Sequence, residues 1–257
     1  MRKAILLLCC VFAWGGVSAQ ELSSAPQTFA VATIKPSAPD AETLTQIRGF
    51  RFVTQGTTFV DLFKYAYDVH PDQVVGGPAW IRTTKFDVVA DPETEKRPTS
   101  DQFKAMMRGL LMERFQVRMR SEQKMLSVYA LVKASNEPTL KKSSGNAAGI
   151  PAVGYDARGE LEADNATMAD LAKFLQRFVL DRPAVDETGI EGHYDLVLRW
   201  TPDSAADREA GGDLQAGVSA PPDLFTAIRE QLGLKLKATR AKTDVFVVER
   251  IELPTED

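Results

Sequence analysis

An apolar-rich run over residues 29–34, Phe-Ala-Val-Ala-Thr-Ile, predicts a strand stopped by Lys35-Pro36. Apolar and polar positions alternate over 51–55, as in a half-buried strand. The alternation then gives way to a helical spacing in which Phe59, Leu62, Phe63, Ala66 and Tyr67 share one face. Thr58 stands three residues before Asp61. Its hydroxyl can take an orphan amide while the carboxylate favours the helix N-terminus. Further along, Val74-Val75 predicts a short strand, Gly76-Gly77-Pro78 a turn and 85–90 a longer strand. Thr99 or Ser100 caps a helix bearing Phe103, Met106, Met107, Leu110 and Leu111. Residues 117–120 and 128–132 are expected to close this unit as a hairpin.

The pattern then recurs. Phe52, Thr54, Thr58, Asp61, Leu62 and Ala66 are answered by Leu161, Ala163, Thr167, Asp170, Leu171 and Leu175, at an offset of 109. Phe86-Asp87 meets Tyr194-Asp195 at 108, and residues 103–110 meet 225–232 at 122. Such a repeat predicts duplicated supersecondary units. The second unit reads as a strand at 160–163, a helix from Thr167, strands at 184–185 and 193–200, a helix carrying Leu224, Phe225, Ile228 and Leu232, and a closing hairpin of 234–236 with 245–251. The expected fold is therefore α+β, two β-α-β-β-α-β-β modules at 20–134 and 159–257. Residues 135–158, rich in small and polar residues, join them as a linker, and 201–220 form a disordered insertion.

Residues 1–19 read as a signal peptide: Arg2 and Lys3, an apolar run from 4 to 14, and Val17-Ser18-Ala19 as cleavage site. Removing Arg2 and Lys3 takes the formal charge from −4 to −6. No basic cluster remains to follow a phosphate backbone, so nucleic acid is not the expected partner. Both cysteines, Cys9 and Cys10, lie in the signal, which removes disulfides and thiol chemistry from the mature chain. No later segment is apolar enough to span a membrane. The expected location is periplasmic or extracellular, and the sequence specifies no oligomeric state.

Catalytic sets are sparse. The only histidines are His70 and His193, there is no Gly-x-Ser-x-Gly elbow, and a zinc site lacks its ligands. Asp186, Glu187, Glu191 and Asp195 form the densest carboxylate group, the one place for a carboxylate-based hydrolase. In Asp186-Glu187-Thr188-Gly189, however, the Asp is placed to accept from a local amide, with Gly189 supplying a positive φ. The most distinctive string is Gly76-Gly77-Pro78-Ala79-Trp80. Its glycines bring backbone close to a ligand with Trp80 as a stacking wall, or they turn the chain while Trp80 fills the core. Gly76, Gly77 and Trp80 are the candidate binding residues; no catalytic, metal-binding or cofactor-binding residue is assigned.

Several strings together resemble a known family. They are Phe-x-Val-Ala-x-Ile-Lys-Pro (29–36), Gly-Gly-Pro-x-Trp (76–80), Phe86-Asp87, Val-Asp-x-Thr-Gly-x-x-Gly-x-Tyr-Asp (185–195) and Gln-Leu-Gly-Leu-Lys-Leu (231–236). The family is one of secreted proteins of soil bacteria with unknown function, whose domain also occurs fused to membrane metalloprotease sensors of the beta-lactamase-regulator type. The resemblance implies sensing or recognition outside the membrane. This chain lacks a His-Glu-x-x-His motif, so no peptidase activity carries over. Each unit is also similar to the N-terminal modules of secretins and TonB-dependent receptors, which bind envelope proteins through sheet edges. The expectation is a non-enzymatic envelope module that binds a protein or peptide. The alternatives are a small molecule or cell-wall fragment in a groove between modules, and a carboxylate hydrolase.

Overall fold

Both predicted Thr-x-x-Asp starts form complete capping boxes. Thr58 Oγ1 accepts from the Asp61 amide at 3.2 Å while Asp61 Oδ2 accepts from the Thr58 amide at 3.0 Å. Thr167 and Asp170 repeat this at 3.1 and 3.0 Å. Each box satisfies two donors that a helix start otherwise leaves orphaned. The computed structural model describes residues 28–94, 97–135, 137–145, 152–155, 159–202 and 221–255. The expected signal peptide and nearly all of the expected insertion at 201–220 lie outside the described residues.

The fold is mixed α+β. In chain order its elements are β1 (Phe29–Pro36), β2 (Leu44–Arg48), β3 (Arg51–Thr58), α1 (Phe59–Tyr67), a 3-10 turn (Pro71–Gln73), β4 (Val74–Gly76), α2 (Trp80–Thr83), β5 (Lys85–Pro92), α3 (Ser100–Arg114) and β6 (Arg118–Lys133). There follow β7 (Lys141–Lys142), β8 (Ala152–Tyr155), β9 (Glu160–Ala166), α4 (Met168–Phe178), β10 (Ala184–Asp186), β11 (Tyr194–Arg199), α5 (Leu224–Leu232) and β12 (Leu234–Arg250). Three four-stranded sheets result, in the orders β1-β5-β3-β2, β10-β6-β12-β4 and β7-β11-β9-β8.

The two outer sheets share a bulge. In β3 the register slips between Thr54 and Thr57, and in β9 it slips opposite Tyr194 to Leu196. Gly56 and Asn165 occupy these slips in the left-handed region, at φ 60° and 53°. Each bulged amide is held by an aspartate of the neighbouring strand. Asp87 Oδ1 accepts from Gly56 N at 2.9 Å, and Asp195 Oδ1 from Asn165 N at 3.1 Å. The repeated Phe-Asp and Tyr-Asp strings thus place one side chain in the core and one on a bulge.

The expected closing hairpins do not form. Residues 118–133 are one strand and 234–250 another, and the two pair antiparallel from Leu234 with Lys133 to Arg250 with Arg118. The physical reason lies in 121–127 and 237–243, polar stretches that hold no Gly, Pro, Asn or Asp to turn the chain. They are the solvated middle of a long ribbon. The expected linker at 135–158 also carries structure, because β7 and β8 flank β11 and β9 as edge strands.

This ribbon ties the halves together. β4 from the first half pairs parallel with β12, and β10 from the second pairs parallel with β6. The first core, built on Phe52, Phe59, Phe63, Phe103 and Phe115, is completed by Val248 with Phe246 and Ile251 against it. The second, built on Leu161, Leu171, Leu175, Leu198 and Ile228, takes Leu131 from β6. Each half therefore lends a strand to the other's interior, and neither closes its core alone.

Candidate functional site

Where the halves meet, α1 ends on Asp68, whose backbone turns left-handed at φ 53°. Asp68 Oδ2 accepts from Lys104 Nζ of α3 and Asp68 Oδ1 from Arg177 Nη1 of α4, both at 2.6 Å. Its carbonyl accepts from Gln176 Nε2 at 3.0 Å, and Gln176 Oε1 in turn accepts from the Ala184 amide at 3.1 Å. One residue of the first half is thereby fastened to two of the second. The Lys104 and Arg177 side chains are only 15% and 13% exposed, so the carboxylate between them offsets charges that water reaches poorly.

Above this junction lies a groove of about 870 Å³. Its lining carries five acids, Asp68, Asp101, Glu162, Asp164 and Asp170, against three bases, Lys104, Lys173 and Arg177. The difference is a formal −2. Asp68 is committed to Lys104 and Arg177, and Asp170 to its capping box. Glu162 and Asp164, two apart on β9 and so on one face, form no ion pair with any cation among the described residues. Phe174 and Phe178 of α4 add apolar surface, and Phe178 is 54% exposed. Their rings pack at 4.8 Å, and the Arg177 guanidinium lies 4.6 Å from the Phe178 ring and 4.8 Å from that of Tyr65. The platform is fixed by its neighbours. Burial pushes the Tyr65 hydroxyl up to about 12, against the opposing pull of Arg177, so it stays a phenol at neutral pH.

The sequence-predicted residues lie elsewhere. Gly76 and Gly77 have φ of 75° and 70°, and a Cβ on either would come within 2.9 Å, of the Val248 carbonyl and of the Ile81 Cδ1. Close approach to β12 and α2 accounts for both glycines. Trp80 is half-buried, its ring stacked on Phe115 at 6.4 Å and edge-on to Phe86 at 6.5 Å, facing the first core. Gly76 borders a separate depression of about 700 Å³, whose lining includes neither Gly77 nor Trp80.

Asp186 Oδ1 accepts from the Thr188 amide at 2.9 Å and hydroxyl at 2.8 Å, with Gly189 at φ 61°, the local turn expected of that string. Asp195 holds the β9 bulge, and bonds from Ser143 and the Asn165 amide, helped by Lys141 nearby, lower its carboxyl below the ordinary range. His70 is 6% exposed and caps the 3-10 turn, its Nδ1 accepting from the Asp72 amide at 3.2 Å. Among the described residues no group of three or more His, Cys, Asp or Glu is placed to hold a metal ion, and no helix is long and apolar enough to cross a membrane.

The groove went unread in the sequence, although one signal pointed to it. Phe174 and Phe178 widen the apolar stripe of Met168, Leu171, Ala172 and Leu175 along one flank, and an aromatic at the end of such a widened stripe marks exposed apolar surface. No curated protein and no solved structure matches the chain. A family described as a protein of unknown function (DUF3738) matches residues 60–251, most of the chain, and to that family the chain belongs.

Proposed function

We propose that this is an exported, non-catalytic binding module of the bacterial cell envelope, and that it takes a segment of an envelope protein or peptide in the groove between its halves. The observation that carries this reading is the lining: the exposed Phe178 ring on α4 beside Glu162 and Asp164, which form no salt bridge among the described residues. Such a surface suits a ligand with a Lys or Arg next to an apolar side chain. The signal-like residues 1–19 support export. The resemblance to secreted soil-bacterial proteins, and to domains fused to membrane sensors, supports recognition as the role. Asp186 and Asp195 are both engaged in local structure, which favours binding over hydrolysis.

The experiment is a pull-down from envelope extract, read by quantitative mass spectrometry, with wild type beside Glu162→Lys/Asp164→Lys and Phe178→Ala. A saturable envelope protein lost in both variants supports the reading. Equal recovery with all three proteins overturns it. A cell-wall fragment is the second reading, favoured by the exposed Phe178 ring, on which the apolar face of a sugar could stack. Titration with purified muropeptides tests it, and binding that survives Phe178→Ala contradicts it.

A further inference from the structure

The ribbon of β6 and β12 is the basic part of an acidic chain. Its two strands carry nine Lys or Arg and three Asp or Glu, a formal +6, while the whole chain is −4, so the remaining residues sum to −10. The strands lie far apart in the sequence, and neither reads alone as a basic cluster. Their antiparallel pairing makes one. A charge of either sign would guard the free edges of such a ribbon. Edge protection therefore leaves the bias toward cations unexplained.

In the middle of the ribbon, cations and exposed apolar side chains share a face. Residues directly opposite in an antiparallel pair point to the same side, and so do residues two apart along a strand. Met125 is opposite Lys242, Ser127 opposite Arg240 and Tyr129 opposite Ala238, which places all six on one side. Phe225 of α5 meets Tyr129 edge-on at 5.3 Å, and the Arg182 guanidinium lies 4.7 Å from the same ring. Met125 is 48% exposed and Phe225 42%. Arg182 is paired with Asp181 at 2.8 Å. Arg240 Nη2 reaches the Met125 carbonyl at 3.4 Å, and neither Arg240 nor Lys242 forms an ion pair among the described residues. Two cations without a carboxylate thus stand beside two large apolar side chains left in water.

We infer that this face docks the protein on a membrane surface bearing anionic lipid headgroups. Arg240 and Lys242 lie against the headgroup phosphates, and Met125 and Phe225 enter the boundary between headgroups and acyl chains. Cations at the headgroups with apolar groups just beneath them are the arrangement such a surface favours. A soluble polyanion such as duplex DNA would meet the cations and leave the two apolar side chains in water. No residue of this face lines the groove between the halves, so the inference does not depend on a ligand there.

The test is co-sedimentation with vesicles of equal parts phosphatidylglycerol and phosphatidylcholine, against vesicles of phosphatidylcholine alone. The chain is taken from residue 20, because the apolar run at 4–14 would enter a bilayer by itself; every described element is retained. Binding is expected on the anionic vesicles alone and should weaken as salt is raised. It should fall about thirtyfold in Arg240→Glu/Lys242→Glu. Lys35→Glu/Arg48→Glu changes the net charge equally at exposed positions of the first sheet and should leave binding unchanged. Met125→Ser/Phe225→Ser should weaken it about tenfold. Emission from Met125→Trp, above that of Trp80 and Trp200, should shift to the blue on anionic vesicles and stay unshifted with duplex DNA. An unchanged Tm in each variant shows that the fold is kept. The inference is overturned if anionic vesicles bind no better than phosphatidylcholine, or if Arg240→Glu/Lys242→Glu loses no more binding than Lys35→Glu/Arg48→Glu. It is also overturned if the Met125→Trp emission stays unshifted on vesicles while duplex DNA binds and is lost in Arg240→Glu/Lys242→Glu.

Discussion

The two cores are framed by the same devices and filled with different side chains. Both outer sheets carry a left-handed bulge held by an aspartate, and both following helices open on a Thr-Asp capping box. Inside the first frame six phenylalanines, at 52, 59, 63, 86, 103 and 115, are almost wholly buried. Inside the second, leucine and alanine dominate, with Tyr194 and Trp200 as the buried rings. Backbone geometry is demanding: a bulge needs a residue that tolerates positive φ and an acceptor for its amide. Core filling is permissive so long as volume and apolarity are kept. The difference extends to the surface, because the groove draws its aromatic rings from α4 of the second half.

The largest expected effects come from emptying either core. Phe59→Ala should cost about 3–5 kcal/mol and Leu175→Ala about 2–5 kcal/mol. Because β6 and β12 serve both interiors, each variant should lower one shared denaturation midpoint, followed by near-UV circular dichroism for the aromatic core and, in a Trp80→Phe background, Trp200 fluorescence for the other. Asp68→Ala comes next, at about 1.5–3 kcal/mol, since it leaves Arg177 largely buried without its carboxylate and Lys104 with Asp101 alone. Asp68→Asn keeps a residue that tolerates the left-handed backbone, so comparing the two by urea titration separates charge from conformation.

Thr58→Ala and Thr167→Ala should each cost about 1 kcal/mol, and nearly the same amount, because the two caps are alike to 0.1 Å. Unequal losses would mean that the frames differ more than their hydrogen bonds do. The smallest effect is one of pH and centres on His70. Burial pushes His70 below its ordinary 6.5, with Asp72 pulling the other way. The unfolded chain then binds the proton more readily, so stability is full above about 6.5 and declines as pH falls from there to the lowered value. His70→Gln should flatten that slope in melts taken between pH 7 and 5.

Local chemistry was legible in the sequence wherever it rests on neighbours along the chain. The Thr-x-x-Asp starts, the helix faces and the Asp186 turn all involve residues within a few positions, and the structure has them as expected. The Phe-Asp and Tyr-Asp strings are visible as a match, but their use as bulge holders depends on a partner about 30 residues away. The long ribbon was misread because solvated strand and loop have similar polarity, and the decisive sign was the lack of turn residues in 121–127. The groove was invisible for a related reason. Asp68, Lys104 and Arg177 are ordinary charges in sequence, brought together only once the halves share strands, whereas Trp80, conspicuous in sequence, faces the first core.

That sharing is the centre of the account, and residues 28–134 expressed alone test it most directly. Without β12 this fragment lacks Val245, Phe246 and Val248, and the aromatic core is left open on one side. The account predicts a fragment with no cooperative thermal transition and fast amide exchange in α1, regained when residues 137–257 are added. A fragment that melts sigmoidally by itself, with α1 protected as in the full chain, would contradict it.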